Sequence, residues 1–206
     1  MASGAMTDPH FLDFNQKWMD AVLPHLVDGG ILGTFIDWRG LAITQAAATG
    51  LGLTPLDLVV WAKTNAGMGN LYRSQHELLP LFKKGAASHV NISPRKRGRT
   101  NLWTYPGASS PGARIGLQGH PTVKPTAMLQ DALIDLTNRG EIVLDPFLGS
   151  GSVLIAAENT GRLCYGIERD PLYVDVIIRR YEAETGAAAI LADTGETFEQ
   201  IATRKP

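Results

Sequence analysis

Asp145, Phe147, Gly149, Gly151 and Ser152 fall together in EIVLDPFLGSGSVLIAAE, residues 141–158. An apolar run that ends on a carboxylate and is followed by Gly-x-Gly has the pattern of a strand turning sharply into a helix. Asp145 would then stand at the carboxyl end of a strand, where open α/β sheets hold ligands. The two glycines let the backbone approach a ligand closely. Ser152 opens a helix whose unpaired N–H groups point into the site. Three ligand classes use such a turn. A phosphate loop needs Gly-Lys-Ser/Thr, and no lysine follows here. A dinucleotide site puts a third glycine where this chain has Leu154, which would crowd a pyrophosphate. An adenosine-containing ligand without that bridge remains. Glu168, which closes the next apolar run LCYGIE, is placed to accept both ribose hydroxyls of such a ligand. The plain alternative is a turn that needs glycine only for packing.

These residues must be held by alternating elements. Thr7-Asp8-Pro9 has the composition of a helix start, with a capping side chain and proline in the first turn. Phe11, Phe14, Trp18, Val22 and Leu26 follow at helical spacing, and Pro24 should disturb the last turn. ILGTFIDW at 31–38 predicts a short buried strand, Leu41 to Gly50 an Ala-rich helix, and LDLVVWAK at 56–63 a second strand. HELLPLFKK at 76–84 predicts a third, with Pro80 favouring an edge or a bulge. Periodicity is lost over 85–119, which predicts an inserted loop. It returns with a helix at about 124–138, a strand at 141–145, a helix at 151–160, a strand at 163–168 and a helix at 171–184. Strands alternating with helices imply an α/β fold with a mostly parallel sheet and helices on both faces.

The chain has 206 residues with 44% apolar content, which suits a single domain over 1–206. Net charge is −1, so no global field draws in nucleic acid, and any such contact needs a local basic patch. One such patch exists. PRKRGRT packs Arg95, Lys96, Arg97 and Arg99 into five positions, with Lys83 and Lys84 before it and Trp103 and Tyr105 after it. A solvated charged loop is the alternative. The single cysteine, Cys164, excludes an internal disulfide and suits a reducing, cytoplasmic setting. No apolar run approaches a membrane span, and the N-terminus does not have the pattern of a signal peptide.

DPFLGSGS with IAAE, then GRLCYGIERDPLYVDVIIRR, and HPTVKP before them, resemble the S-adenosylmethionine-dependent amino-methyltransferases of DNA. These modify the exocyclic nitrogen of adenine or cytosine. The motif order is that of the permuted β subgroup, which would explain why the glycine turn comes late. WAKTNAGMGNLYRSQHE is also similar to this group, particularly to methylases associated with ParB-like nuclease domains. The resemblance implies a Rossmann-like, circularly permuted methyltransferase fold with S-adenosylmethionine as cofactor and DNA as partner. It implies that Asp145, Phe147, Gly149, Gly151, Ser152 and Glu168 line the cofactor pocket, with Thr122 and Lys124 near the methionine carboxylate. It places the target-recognition region at 85–119, with Arg95, Lys96, Arg97 and Arg99 against phosphates. Tyr72, Arg73 and His76 would lie near the target base, although core or capping roles serve equally well. His120 receives no role.

The family's catalytic signature is Asp/Asn/Ser-Pro-Pro-aromatic on a strand end, which cradles the target amine and stacks on a flipped base. The chain does not contain it. Asp8-Pro9-His10-Phe11 is superficially close, but helical spacing follows at once, so it predicts a helix start. In the permuted order the missing motif and its central strand would precede Met1. The expectation is therefore a methylase lacking that strand. An N-terminal segment, a second polypeptide or a homodimer would then complete the sheet. A non-catalytic cofactor- or DNA-binding remnant is the other class. An unrelated dinucleotide oxidoreductase is disfavoured by Leu154 and HPTVKP.

Overall fold

The computed structural model describes residues 6–69, 71–90, 99–107 and 123–204. Thr122, His120, Arg95, Lys96 and Arg97 lie outside them. Two compact parts divide the chain, one over Met1–Ser110 with Ile134–Asn138, the other over Pro111–Leu133 with Arg139–Pro206.

In the first part, α1 (Asp8–Val22) packs on α2 (Leu41–Gly50). Met19, Ala47, Ala48, Leu32, Leu53 and Phe82 form its buried core, with Leu12, Trp18, Val22 and Leu26 around them. Asp8 to Phe11 are the first turn of α1, as their spacing predicts. The Thr7 side chain makes no capping hydrogen bond, so proline's fixed φ and the packed face set that end. At Pro24 the helix gives way to a 3-10 turn, Leu23–His25. Lys84 Nζ donates to the Leu23 and Leu26 carbonyls there, both at 2.6 Å.

Four strands follow: β1 (Ile31–Gly33), β2 (Thr54–Lys63), β3 (His76–Lys83) and β4 (Leu102–Tyr105), in the spatial order β1-β3-β2-β4. β3 runs antiparallel to both neighbours, and β4 runs parallel to β2. The sheet of this part is thus mixed where a mostly parallel one was expected. Two further expectations are corrected. Pro80 sits in an interior strand and is buried. It is tolerated because the β1 ladder is interrupted beside it, between Gly33↔Leu81 and the bridge Ile36↔Leu78. The 85–119 segment, expected to be a loop, contributes β4, whose LWTY run has the aromatic, β-branched make-up of a strand.

In the second part, β5 (Ile142–Asp145) and β6 (Leu163–Gly166) pair in parallel, joined by α4 (Ser152–Thr160). α5 (Pro171–Thr185) follows, capped by the Asp170 side chain, and α6 (Phe198–Ala202) opens on a Thr197/Gln200 capping box. α3 (Thr126–Leu136) begins in this part. Ile155, Ala156 and Ala157 bury one face of α4. On the β5–β6 pair the alternate residues Ile142, Leu144, Leu163 and Tyr165 are exposed, opposite one another across the two strands. Among the described residues β5 pairs only with β6, and β1 only with β3. No helix among them is long and apolar enough to cross a membrane.

Candidate functional site

The register Asp145↔Gly166 brings the ends of β5 and β6 to one edge. The chain then knits itself together around that edge. Ile167 N–H donates to the Asp145 carbonyl and Leu148 N–H to the Ile167 carbonyl, both at 2.9 Å. Asp145 Oδ1 accepts from Phe147 N–H at 2.9 Å. Glu168 braces the turn with both oxygens: Oε2 accepts from Gly149 N–H and Oε1 from Asp170 N–H, each at 2.9 Å. A carboxylate has about four acceptor positions, so each oxygen retains capacity for a ligand hydroxyl.

Gly149 and Gly151 take positive φ values of 57° and 74°, the left-handed region that glycine enters freely. At Gly151 space matters as well, since a Cβ would stand 2.9 Å from Ile177 Cγ2 on α5. Gly166 is bare for a related reason: the Leu148 side chain lies where its Cβ would be. Phe147 leaves the turn with its ring half-exposed.

Burial holds the Asp145 carboxyl above its ordinary range, and the Glu168 charge adds to the shift, against the Phe147 N–H that favours the anion. Two acids facing one edge are the electrostatic signature of a site that gains from a cation. Cys164, beside them on β6, is pushed up to about 12 by burial and by Asp145, so it is a poor nucleophile. The described residues contain no group of acids, histidines and cysteines able to hold a metal ion.

Arg180 is the functional residue that sequence reading missed. From α5 its guanidinium donates to the Ser150 carbonyl at 2.8 Å, Ser152 Oγ at 3.0 Å and Thr126 Oγ1 at 3.0 Å. It therefore ties the glycine turn to the start of α3, two residues after Lys124. Ser152 is buried with its hydroxyl committed to Arg180 and near Ser150 Oγ, so it supports the turn from behind. Its companion Ile177, one helical turn earlier, packs under Gly151. Arg180→Ala should lower stability by about 1–3 kcal/mol in urea denaturation, because the Ser150 carbonyl loses its buried donor. Arg180→Lys, with a single ammonium, should recover only part of that.

The other predicted residues belong to the first part. Arg99 is mostly buried and pairs with Asp135 at 3.1 Å, with Nη1 donating to Tyr105 Oη at 3.2 Å. Its charge is thus already committed within the fold. Tyr72, Arg73 and His76 gather at the β2–β3 connection, with Arg73 turned onto backbone carbonyls.

The DNA methylase family of the N6/N4 type matches residues 4–179. The chain belongs to that family. The N6/N4 methylase match runs from before α1 into α5, so it contains both the β5–α4 turn and Glu168. Type II methyltransferase M2.DpnII of Streptococcus pneumoniae is 27% identical to this methylase-family chain, over 84% of this chain and 68% of that protein. The crystal structure of the M1.HpyAVI–SAM complex is 25% identical with a TM-score of 0.71, covering 80% of both chains. PvuII DNA methyltransferase, cytosine-N4-specific, shares the fold at a TM-score of 0.75 and 16% identity, over 88% of this chain and 74% of that one.

Proposed function

We propose that this chain carries the cofactor site and the DNA-recognition segment of an S-adenosylmethionine-dependent methyltransferase acting on the exocyclic nitrogen of adenine or cytosine in DNA. The Asp145–Glu168 pair, closed around a left-handed glycine turn, carries the reading. Its residues fit the cofactor. Glu168 has acceptor capacity left for ribose hydroxyls, Phe147 offers an exposed ring, and the raised Asp145 carboxyl gains a partner when a cation arrives. Bound there, S-adenosylmethionine supplies a methyl carbon on a sulfonium, which an exocyclic amine takes as the C–S bond breaks and a proton leaves the nitrogen. Asp145 holds the cationic end and excludes competing anions. The backbone from Phe147 to Gly151 fixes the distance of approach. Arg180 keeps Lys124, with Thr122 before it, within reach of the carboxylate end.

The strand and motif that cradle the amine come from another segment or a second polypeptide. The open edges of β1 and β5 support this, as does the apolar face of the β5–β6 pair. DNA phosphates meet Arg95, Lys96 and Arg97. Arg99 is set apart, since its ion pair with Asp135 gives it a role inside the fold. Replacing Arg95, Lys96 and Arg97 by Ser should flatten the plot of log affinity against log salt by up to roughly 0.9 for each phosphate no longer neutralised. An unchanged slope in fluorescence anisotropy would move the DNA surface elsewhere.

A further inference from the structure

One edge of the four-stranded sheet collects large apolar side chains that nothing in the fold covers. β1, β2 and β4 all run toward it and β3 starts from it: Ala62 pairs with His76, Lys63 with Tyr105, and Ile36 bridges Leu78. Just beyond these pairs stand Trp38, Met68, Leu71 and Tyr72, exposed by 68, 94, 86 and 85%. Scattered exposed apolar residues are ordinary, but four large ones at one edge mark an interaction surface.

The loop that bears three of them is built to hold its shape. Gly67 N–H donates to the Ser74 carbonyl at 2.7 Å, Ser74 N–H to the Met68 carbonyl at 3.2 Å, and Gly69 bridges Arg73. The Arg73 guanidinium folds back onto the Ala66 and Gly67 carbonyls at 2.7 and 3.3 Å. Arg73 thus acts as a strut, and the apolar side chains are what the loop presents outward. From Thr64 to His76 the chain has no acidic residue, and Asp37, beside Trp38, is paired with Arg39. An apolar, aromatic surface free of unpaired negative charge suits the flat faces of bases in a polyanion better than it suits an acidic protein or a sugar.

We propose that this edge is a stacking platform for bases of a locally opened DNA strand, with Trp38 and Tyr72 stacking on base faces and Met68 and Leu71 filling the space that the bases leave. The proposal rests on the DNA-methyltransferase reading and adds a binding surface to it. Fluorescence anisotropy with two duplexes of one sequence, fully paired and with a short central bubble, tests it. The whole chain should bind the bubble about tenfold more tightly, since each stacked base is worth roughly that factor or more. Leu71→Ala with Tyr72→Ala, and separately Trp38→Ala, should abolish that preference while leaving the salt slope and the thermal midpoint unchanged. Tyr72→Phe, which keeps the ring, should retain it. The platform is overturned if the chain binds both DNAs equally, if the alanine variants keep the preference, or if Tyr72→Phe loses it. If the unaltered chain binds neither DNA, the DNA-methyltransferase reading falls with it.

Discussion

Incubated alone with labelled S-adenosylmethionine and mixed-sequence DNA, this chain will transfer no methyl group above background. Addition of a polypeptide bearing a strand that ends in Asp-Pro-Pro-aromatic will start transfer. The chain contains no such motif, and Asp8 to Phe11, its nearest approach, are one turn of α1. A helical turn points its carbonyls along the axis into its own hydrogen bonds, so the backbone acceptor needed beside the target amine is not available there. The sheets add a second argument. Among the described residues β5 has a partner only in β6 and β1 only in β3, so each offers a row of N–H and C=O groups to an incoming strand. Ile142, Leu144, Leu163 and Tyr165 offer an apolar face beside one of those rows. Covering that face and pairing those groups should raise the thermal midpoint when the complementing polypeptide binds. Methylation traced to this chain alone would assign the chemistry to another of its segments.

Glu168→Gln should weaken cofactor binding by roughly tenfold to a hundredfold, the range expected when charge-assisted hydrogen bonds of about 1.5–3 kcal/mol are lost. The carboxylate has two tasks: it accepts from Gly149 and Asp170 N–H groups and retains capacity for ribose. Glutamine keeps one acceptor oxygen and turns an NH2 toward a backbone donor, so both tasks suffer. Asp145 sets the pH dependence. Its pKa is raised in the fold by burial and by Glu168, so the ligand-free protein loses stability from this group as pH climbs from the ordinary carboxylate range through the raised value. A cationic ligand favours the ionised form. Affinity should therefore be full above the raised pKa, fall as pH drops through it, and be accompanied by proton release. Asp145→Asn should remove that dependence. An unchanged affinity in a folded Glu168→Gln protein would take Glu168 out of the site.

The glycine turn and its acid were legible because each lies in one continuous stretch. DPFLGSGS and LCYGIE spell strand end, turn and carboxylate in order, and the parallel register brings them to one edge. What escaped reading depends on distant partners. Arg180 meets Thr126 across 54 positions, and nothing in IIRR distinguishes it from its neighbour Arg179. Arg99 read as a phosphate ligand because its sequence neighbours are basic, while its actual partner, Asp135, stands on α3. Pro80 read as an edge signal, correctly in that one ladder breaks beside it, yet β1 resumes past the break and makes β3 interior. β4 was hidden because glycine, proline and arginine around LWTY erase any period over a window longer than the strand.

The central claim is that the turn from Asp145 to Ser152, closed by Glu168, is the place where S-adenosylmethionine binds. Titration of the isotopically labelled chain with S-adenosylmethionine, followed amide by amide in solution, tests it most directly. The account predicts a single saturable event in which the largest shifts fall on Phe147, Gly149, Gly151 and Asp170. Shifts centred elsewhere, or none at saturating cofactor, would contradict it.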